Sequence, residues 1–262
     1  MISVIYEDFG YQLSPKPLYD AIKQSGFAGV SLFWREGFGC SKTAPPRLAR
    51  EAGLYVENVH MPFDVDANDL WRDNVDGAAI TDSFFRWVKD CARFEIPALV
   101  VHLTHWQDTP PPNKLGLNRV KQVIELAEKL DVNIAFENLH STDALAYVLS
   151  HIDSPKAGFC YDSGHHNCLT PSEDLLSLYG SRLMVLHLHD NKGRITGAPT
   201  EDQHLLPYDG TINWPELMDD IAKTGYSGPV SLEVMNRGYE GLTPEEFLLL
   251  AYERAGSLCS SQ

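Results

Sequence analysis

Metal-ligand side chains recur at the ends of short apolar runs along this chain. Asn58-Val59-His60 closes one run. His102 follows the run at 96–101, with His105 behind it, and Glu137-Asn138 closes another. Then come Asp162-Ser163-Gly164-His165, His187-Leu188-His189-Asp190-Asn191 and, near the end, Glu233. A carboxylate at the end of an apolar run is costly to bury unless it is paired or bound to a metal. Glu137, Asp162 and Glu233 brought to one place would repel one another, and a divalent cation is the simplest remedy. With His187 they make a candidate set of three carboxylates and one imidazole. His60 or His105 taken alone reads as a hydrogen-bonded structural residue. His140 and His151 fall on or beside an expected helix and should face solvent. His166 should point away from its neighbour His165, and His189 shares a strand face with His187 and could support it. Cys160 alternates to the face opposite Tyr161 and reads as core.

The apolar runs at 2–6, 28–33, 54–60, 97–103, 132–137, 156–162, 183–189 and 229–234 predict strands. Amphipathic stretches at about 16–25, 42–52, 71–94, 117–130, 141–151, 172–179, 214–224 and 244–255 predict the helices between and after them. The runs alternate little, as strands buried on both faces do. Eight strand–helix units predict an α/β fold, a closed parallel (β/α)8 TIM barrel, as a single domain over 1–262. An open doubly wound sheet is the alternative, but no Gly-x-Gly-x-x-Gly follows any strand. In such a barrel the chemistry sits at the C-terminal strand ends, where the ligand-type residues fall. Trp34 and Trp106, just past the second and fourth strands, are candidates to wall a pocket there or to anchor loops.

Composition narrows the function classes. Lys plus Arg is 21 and Asp plus Glu is 36, a formal net charge of −15, which disfavours nucleic acid as a general partner. No stretch approaches the roughly 18 apolar residues of a membrane span, and the start of the chain lacks a signal-peptide pattern. The five cysteines include no Cys-x-x-Cys pair, so a reduced, cytoplasmic protein is expected. No nucleophile elbow or phosphate loop appears.

Glu-Asn after the fifth strand, Asp-x-x-His after the sixth, His-x-x-Asp-Asn after the seventh and Glu at the eighth resemble the xylose isomerase-like TIM barrel superfamily. Asp202-Gln203-His204, then 207–214 (Pro-Tyr-Asp-Gly-Thr-Ile-Asn-Trp), resemble its D-x-H…P-G-x-G-x-I-D-W segment, except that Tyr208 stands where that segment has glycine. Gly225-Tyr226-Ser227-Gly228 matches its run into the last strand. The resemblance covers nearly the whole chain. It implies, for the sugar phosphate isomerase/epimerase group, one divalent metal held by Glu137, Asp162, His187 and Glu233, with the two glutamates as acid and base on either side of an enediolate. Such an oxygen-rich set suits Mn²⁺ first, with Mg²⁺, Co²⁺ or Zn²⁺ as alternatives. His60, His102 and His165 would then bind a small sugar or hydroxy-carbonyl substrate, with Trp34 and Trp106 as walls. The related abasic-site endonuclease (AP endonuclease family 2) implies instead three zinc ions. Its additional ligands would match His60, His102, His165, Asp202 and His204, with His60 and His102 sharing Glu137. The basic loops that such an enzyme needs are missing, and Lys and Arg are scattered. A lyase or deglycosidase using the same metal and base, and a binding module that has lost the reaction, complete the alternatives. A homo-oligomer is left open.

Overall fold

The computed structural model describes residues 3–34, 44–106, 108–194 and 202–260. Its eight strands are β1 (Ser3–Tyr6), β2 (Gly29–Phe33), β3 (Tyr55–His60), β4 (Ala98–Val101), β5 (Asn133–Glu137), β6 (Ala157–Asp162), β7 (Leu183–His187) and β8 (Val230–Leu232). All are parallel, in the order β7-β6-β5-β4-β3-β2-β1-β8. The ring closes between β7 and β8 through Leu188, whose N–H donates to the Ser231 carbonyl at 2.9 Å and whose carbonyl accepts from Glu233 N at 3.1 Å. The helices are α1 (Pro15–Gln24), α2 (Ala44–Glu51), α3 (Val75–Arg93), α4 (Lys114–Leu130), α5 (Asp143–His151), α6 (Ser163–Leu169), α7 (Leu175–Tyr179), α8 (Trp214–Lys223) and α9 (Pro244–Ser260). The fold is the expected (β/α)8 TIM barrel. Strand side chains facing outward pack against the helices in one continuous core. A smaller cluster of Ala98, Val100, Ala135, Cys160 and Val185 packs separately; these residues are all small or slender, as filling the inside of the ring requires.

Several boundaries differ from the sequence reading, each for a local reason. The helix expected over 71–94 starts only at Val75, because Asn74 caps it through Gly77 N at 2.7 Å, and Ala67–Trp71 winds a separate 3-10 turn. Helix α4 starts three residues earlier than expected, where the Asn113 side chain takes Gly116 N at 3.0 Å. Helix α6 was not expected at all. The runs 97–103, 183–189 and 229–234 exceed their strands, so His102, His189 and Glu233 lie just beyond strand ends. The first residues of the 42–52 stretch, Ile2 and Cys40 lie outside the described residues. Among those described, no helix is long and apolar enough to cross a membrane, and Cys91, Cys160, Cys168 and Cys259 are free thiols.

Two details position the site. The register between β2 and β3 slips, with Val30 opposite Val56 but Leu32 opposite Val59, so β3 carries one extra residue. Such a bulge breaks alternation, and both Glu57 and Asn58 reach the Ser31 side chain. Asp190 staples the loop after β7: its carboxylate accepts from Thr211 N, Ile212 N and Trp214 Nε1 at 3.0, 3.2 and 2.8 Å. A Cβ on Gly210 would meet Asp190 Oδ1 at 1.9 Å, so only glycine fits. Tyr208 keeps the loop in the left-handed region, at φ +75°, although it is not glycine.

Candidate metal centre

Each member of the four-residue set stands at the end of a strand or just past it. Glu137 and His187 are the last residues of β5 and β7, and Glu233 follows β8. Asp162 ends β6 and also caps α6, its Oδ1 accepting from His165 N at 2.6 Å. Asn138 clamps it there: the Asn138 side chain accepts from Asp162 N at 2.8 Å and donates to Asp162 O at 2.9 Å. One donor atom from each of Glu137, Asp162, His187 and Glu233 lies within 4.8 Å of the others, and all four residues are buried. His187 Nδ1 is 2.8 Å from Glu233 Oε2, 3.4 Å from Glu137 Oε2 and 3.9 Å from Asp162 Oδ2. Yet neither His187 Nδ1 nor Glu233 Oε2 is in hydrogen-bonding geometry with any partner. Buried lone pairs left unmatched and aimed at one point are what a divalent cation satisfies. The residues present therefore fit such an ion.

More donors surround this set. His60 Nε2 and His102 Nε2 lie 3.1 and 3.2 Å from Glu137 Oε2. His165 spans Glu137 Oε1 through Nδ1 at 3.1 Å and Asp202 Oδ2 through Nε2 at 3.2 Å. His204 Nε2 is 2.8 Å from the same Asp202 oxygen. The structure brings His189, rather than His165, into the compact trio with Asp202 and His204. The His189 ring stacks on His204 with centroids 3.9 Å apart, and its Nε2 lies 3.1 Å from Asp162. His60, His102 and Glu137 form another such trio.

The aromatic candidates separate. Trp106 is 40% exposed and stands edge-on over His165, with centroids 5.3 Å apart. The Trp34 indole instead reaches α3, donating to Asp90 at 2.8 Å beside Trp87. Phe63, which the sequence reading passed over, packs 4.6 Å from the His60 ring. His140 corrects its expected solvent-facing placement: it is half-buried, stacked on Trp106 and 3.0 Å from Thr109 Oγ1. His166 does turn away, to Tyr161 and the Glu173 carbonyl. Cys160 is buried, and its sulfur lies among the donors of Glu137 and His187. Burial pushes its thiol up to about 12.

Burial alone would raise the Glu137 and Glu233 carboxyls. Neighbouring imidazoles, His187 above all, outweigh it, holding Glu137 well below the usual carboxylate range and Glu233 at about 2. Burial opposes charge on His204 too, but Asp202 beside it lifts that imidazole to about 9. The centre is a lattice of alternating carboxylates and imidazoles.

Glu57 sits apart from these donors. Its Oε2 accepts from Ser31 and Ser231, while Oε1 is buried without a partner. Burial pushes its carboxyl up from 4.5 to about 7. An acid raised in the folded state stabilises the fold fully below its unfolded value, and that contribution is lost as pH climbs through the folded one. A rise of that size corresponds to roughly 3 kcal/mol. Denaturant titrations of the metal-free protein should therefore show wild type losing about that much stability relative to Glu57→Gln between pH 4.5 and 7.5. A wild-type-minus-variant difference that stays flat with pH would mean that Glu57 ionises normally.

Residues 19–251 match the family described as xylose isomerase-like TIM barrel. An inosose isomerase of Halalkalibacterium halodurans is 25% identical over 143 residues, 52% of this chain and 51% of that protein. An uncharacterized protein of Sinorhizobium fredii is 36% identical over 110 residues, 39% of this chain and 33% of that one. The chain thus spans a third to a half of the length of these relatives. Among solved structures, a D-tagatose 3-epimerase-like protein superposes with TM-score 0.74 at 19% identity, covering 97% of this chain and 99% of that one. An IOLI protein with a bound zinc atom superposes with TM-score 0.80 at 16% identity, covering 99% and 98%.

Proposed function

Because this chain belongs to the xylose isomerase-like TIM barrel family, we propose that it is a metal-dependent isomerase or epimerase of a small sugar or related hydroxy-carbonyl compound. The observation that carries the reading is the convergence of Glu137 and Glu233 with Asp162 and His187 around unmatched buried lone pairs. The similarity to an inosose isomerase and to sugar-epimerase structures supports it. A divalent ion held by those four residues, Mn²⁺ before Mg²⁺, Co²⁺ or Zn²⁺, would polarise the substrate carbonyl and acidify the adjacent C–H bond.

The chain's own residues supply the rest. One of Glu137 and Glu233 takes the proton from carbon, and the other returns one on the opposite face or at the neighbouring carbon. Both carboxyls are held ionised, so either can accept the carbon proton, and the one that returns a proton first takes it from water. His60, His102 and His165, with Asp202 fixing the last, converge on Glu137 and would be the polar partners of substrate hydroxyls. Trp106 and Phe63 provide apolar walls, and Trp34 serves as an anchor at the outer edge. The two outer donor trios favour a second reading, a trinuclear zinc phosphodiesterase, which the charge of −15 argues against. A lyase or deglycosidase would begin with the same proton abstraction.

Turnover of candidate ketoses and inososes in deuterated water tests the proton-transfer step. Product or recovered substrate should carry deuterium at the carbon that changes, read by NMR. A product free of label at every carbon, formed at full rate, would replace proton transfer with a hydride shift.

A further inference from the structure

We propose that Tyr6 and Asn58 form a positioning chain that keeps a proton on His187 Nε2, so that Nδ1 is the nitrogen left to present its lone pair to a bound cation. The inference rests on the metal reading of the four-residue set but not on any particular substrate.

The chain begins at Glu57 on the bulge of β3. Its Oε2 takes the hydroxyl protons of Ser31 and Ser231. Ser31 Oγ, its own proton already committed, can only accept from its other neighbour, Asn58 Nδ2, at 3.1 Å. The second Nδ2 proton points to Glu57 Oε2 at 3.3 Å. The Asn58 amide is thereby oriented, with its oxygen turned to the Tyr6 hydroxyl at 3.3 Å. An amide oxygen can only accept, so Tyr6 donates to it. The Tyr6 oxygen then accepts from the one remaining neighbour, His187 Nε2, at 2.9 Å. Against the cost of burial, the carboxylates around it keep the metal-free imidazole protonated; because Tyr6 holds the Nε2 proton, Nδ1 is the nitrogen that gives its proton up when a cation binds and so presents the lone pair. That nitrogen is the one 2.8 Å from Glu233 Oε2 with no hydrogen-bond geometry. Tyr6, Asn58 and Ser31 are buried completely, so no water competes for these donors. Removing such supports from a metal-ligating histidine typically weakens metal affinity by about 10–100-fold.

The direction of the Tyr6 hydroxyl gives the proposal its distinguishing test. In Asn58→Leu the hydroxyl loses its acceptor and can donate only to His187 Nε2, which forces the proton onto Nδ1. The Asn58 side chain hydrogen-bonds to Tyr6, Ser31 and Glu57 and not to the four-residue set, yet this variant should bind Mn²⁺ about 10–100-fold more weakly, measured by electron paramagnetic resonance of free Mn²⁺. Adding Tyr6→Phe removes the misdirected donor, so the double variant should recover part of that affinity. Tyr6→Phe alone should fall between wild type and Asn58→Leu, with its metal-free melting temperature near that of wild type. A double variant that binds more weakly than Asn58→Leu would overturn the proposal. If Asn58→Leu does not fold, Tyr6→Phe carries the test, and unchanged affinity overturns it. A wild-type protein that takes up no Mn²⁺ would overturn the metal reading, and this inference with it, whereas metal uptake without epimerase activity leaves only the substrate assignment at fault.

Discussion

Glu137→Gln and Glu233→Gln should each lower turnover by about 10²–10⁴-fold, the usual contribution of a positioned acid or base, while the barrel stays folded. The substitution keeps shape and removes charge and basicity. Glu137 should show the larger loss. Its two oxygens meet His60, His102, His165 and His187 within 3.4 Å, and a glutamine there places an N–H₂ against imidazoles arranged to face an acceptor. Glu233 has fewer neighbours, its Oε2 lying 2.8 Å from His187 Nδ1 outside hydrogen-bonding geometry. Assaying both variants at saturating Mn²⁺ separates lost ligation from lost proton transfer: activity that returns with excess metal belongs to ligation. Near-wild-type turnover in either variant without added metal would remove that glutamate from the mechanism.

Stripping the metal should abolish turnover, and one equivalent of Mn²⁺ per chain should restore it. The stoichiometry follows from charge. Glu137, Asp162, Asp202 and Glu233 are the carboxylates of the donor sets. One divalent ion leaves them negative, whereas three would bring +6 against four negative charges, an excess suited to a phosphodiester and not to a neutral sugar. Binding at 100 times Kd adds about 2.7 kcal/mol to folding stability. For a chain of this size that is on the order of 5–10 °C in melting temperature. Elemental analysis of protein purified without chelator, read beside a thermal melt, gives both quantities. Close to three zinc ions per chain, together with nicking of abasic DNA, would transfer the chain to the phosphodiesterase reading.

The barrel and the residues whose donor atoms converge at its mouth were legible in the sequence for a common reason. Glu137, Asp162, His187 and Glu233 each stand at or just past the end of an apolar run, where burial makes a charged or ligating side chain conspicuous. Helix α6 was not legible, because Ser-Gly-His-His-Asn has weak helix propensity and the cap that starts it, Asp162, already had another reading as a ligand. His189 could be placed only as a support for His187. Its ring turned instead to Asp162 and His204 because β7 ends two residues before it, and alternation gives no guidance past a strand end. The polar chain of Glu57, Asn58 and Tyr6 escaped for a sharper reason. A strand with strict alternation turns residues 57 and 58 to opposite faces, and only the extra residue in β3 brings both to Ser31. The pair Asn58 and His60, two apart on one strand, was the available signal. The loop at Tyr208 shows the reverse: a glycine was missing from the expected pattern, and the backbone kept the glycine conformation regardless.

The seam through Leu188 bears on the order in which the molecule becomes competent. Strands β1 to β7 pair in chain order, and the ring stays open until β8, the last strand made, docks between β1 and β7. Glu233 leaves β8 as the hydrogen bond to the Leu188 carbonyl forms. The donor set gains its third carboxylate only at that moment, on the far side of the seam from His187. A half-made barrel therefore offers Glu137, Asp162 and His187 alone, a poorer trap for a cation. Under the metal reading, tight capture would report that the ring has closed, because the donor set draws side chains from both sides of the Leu188 seam.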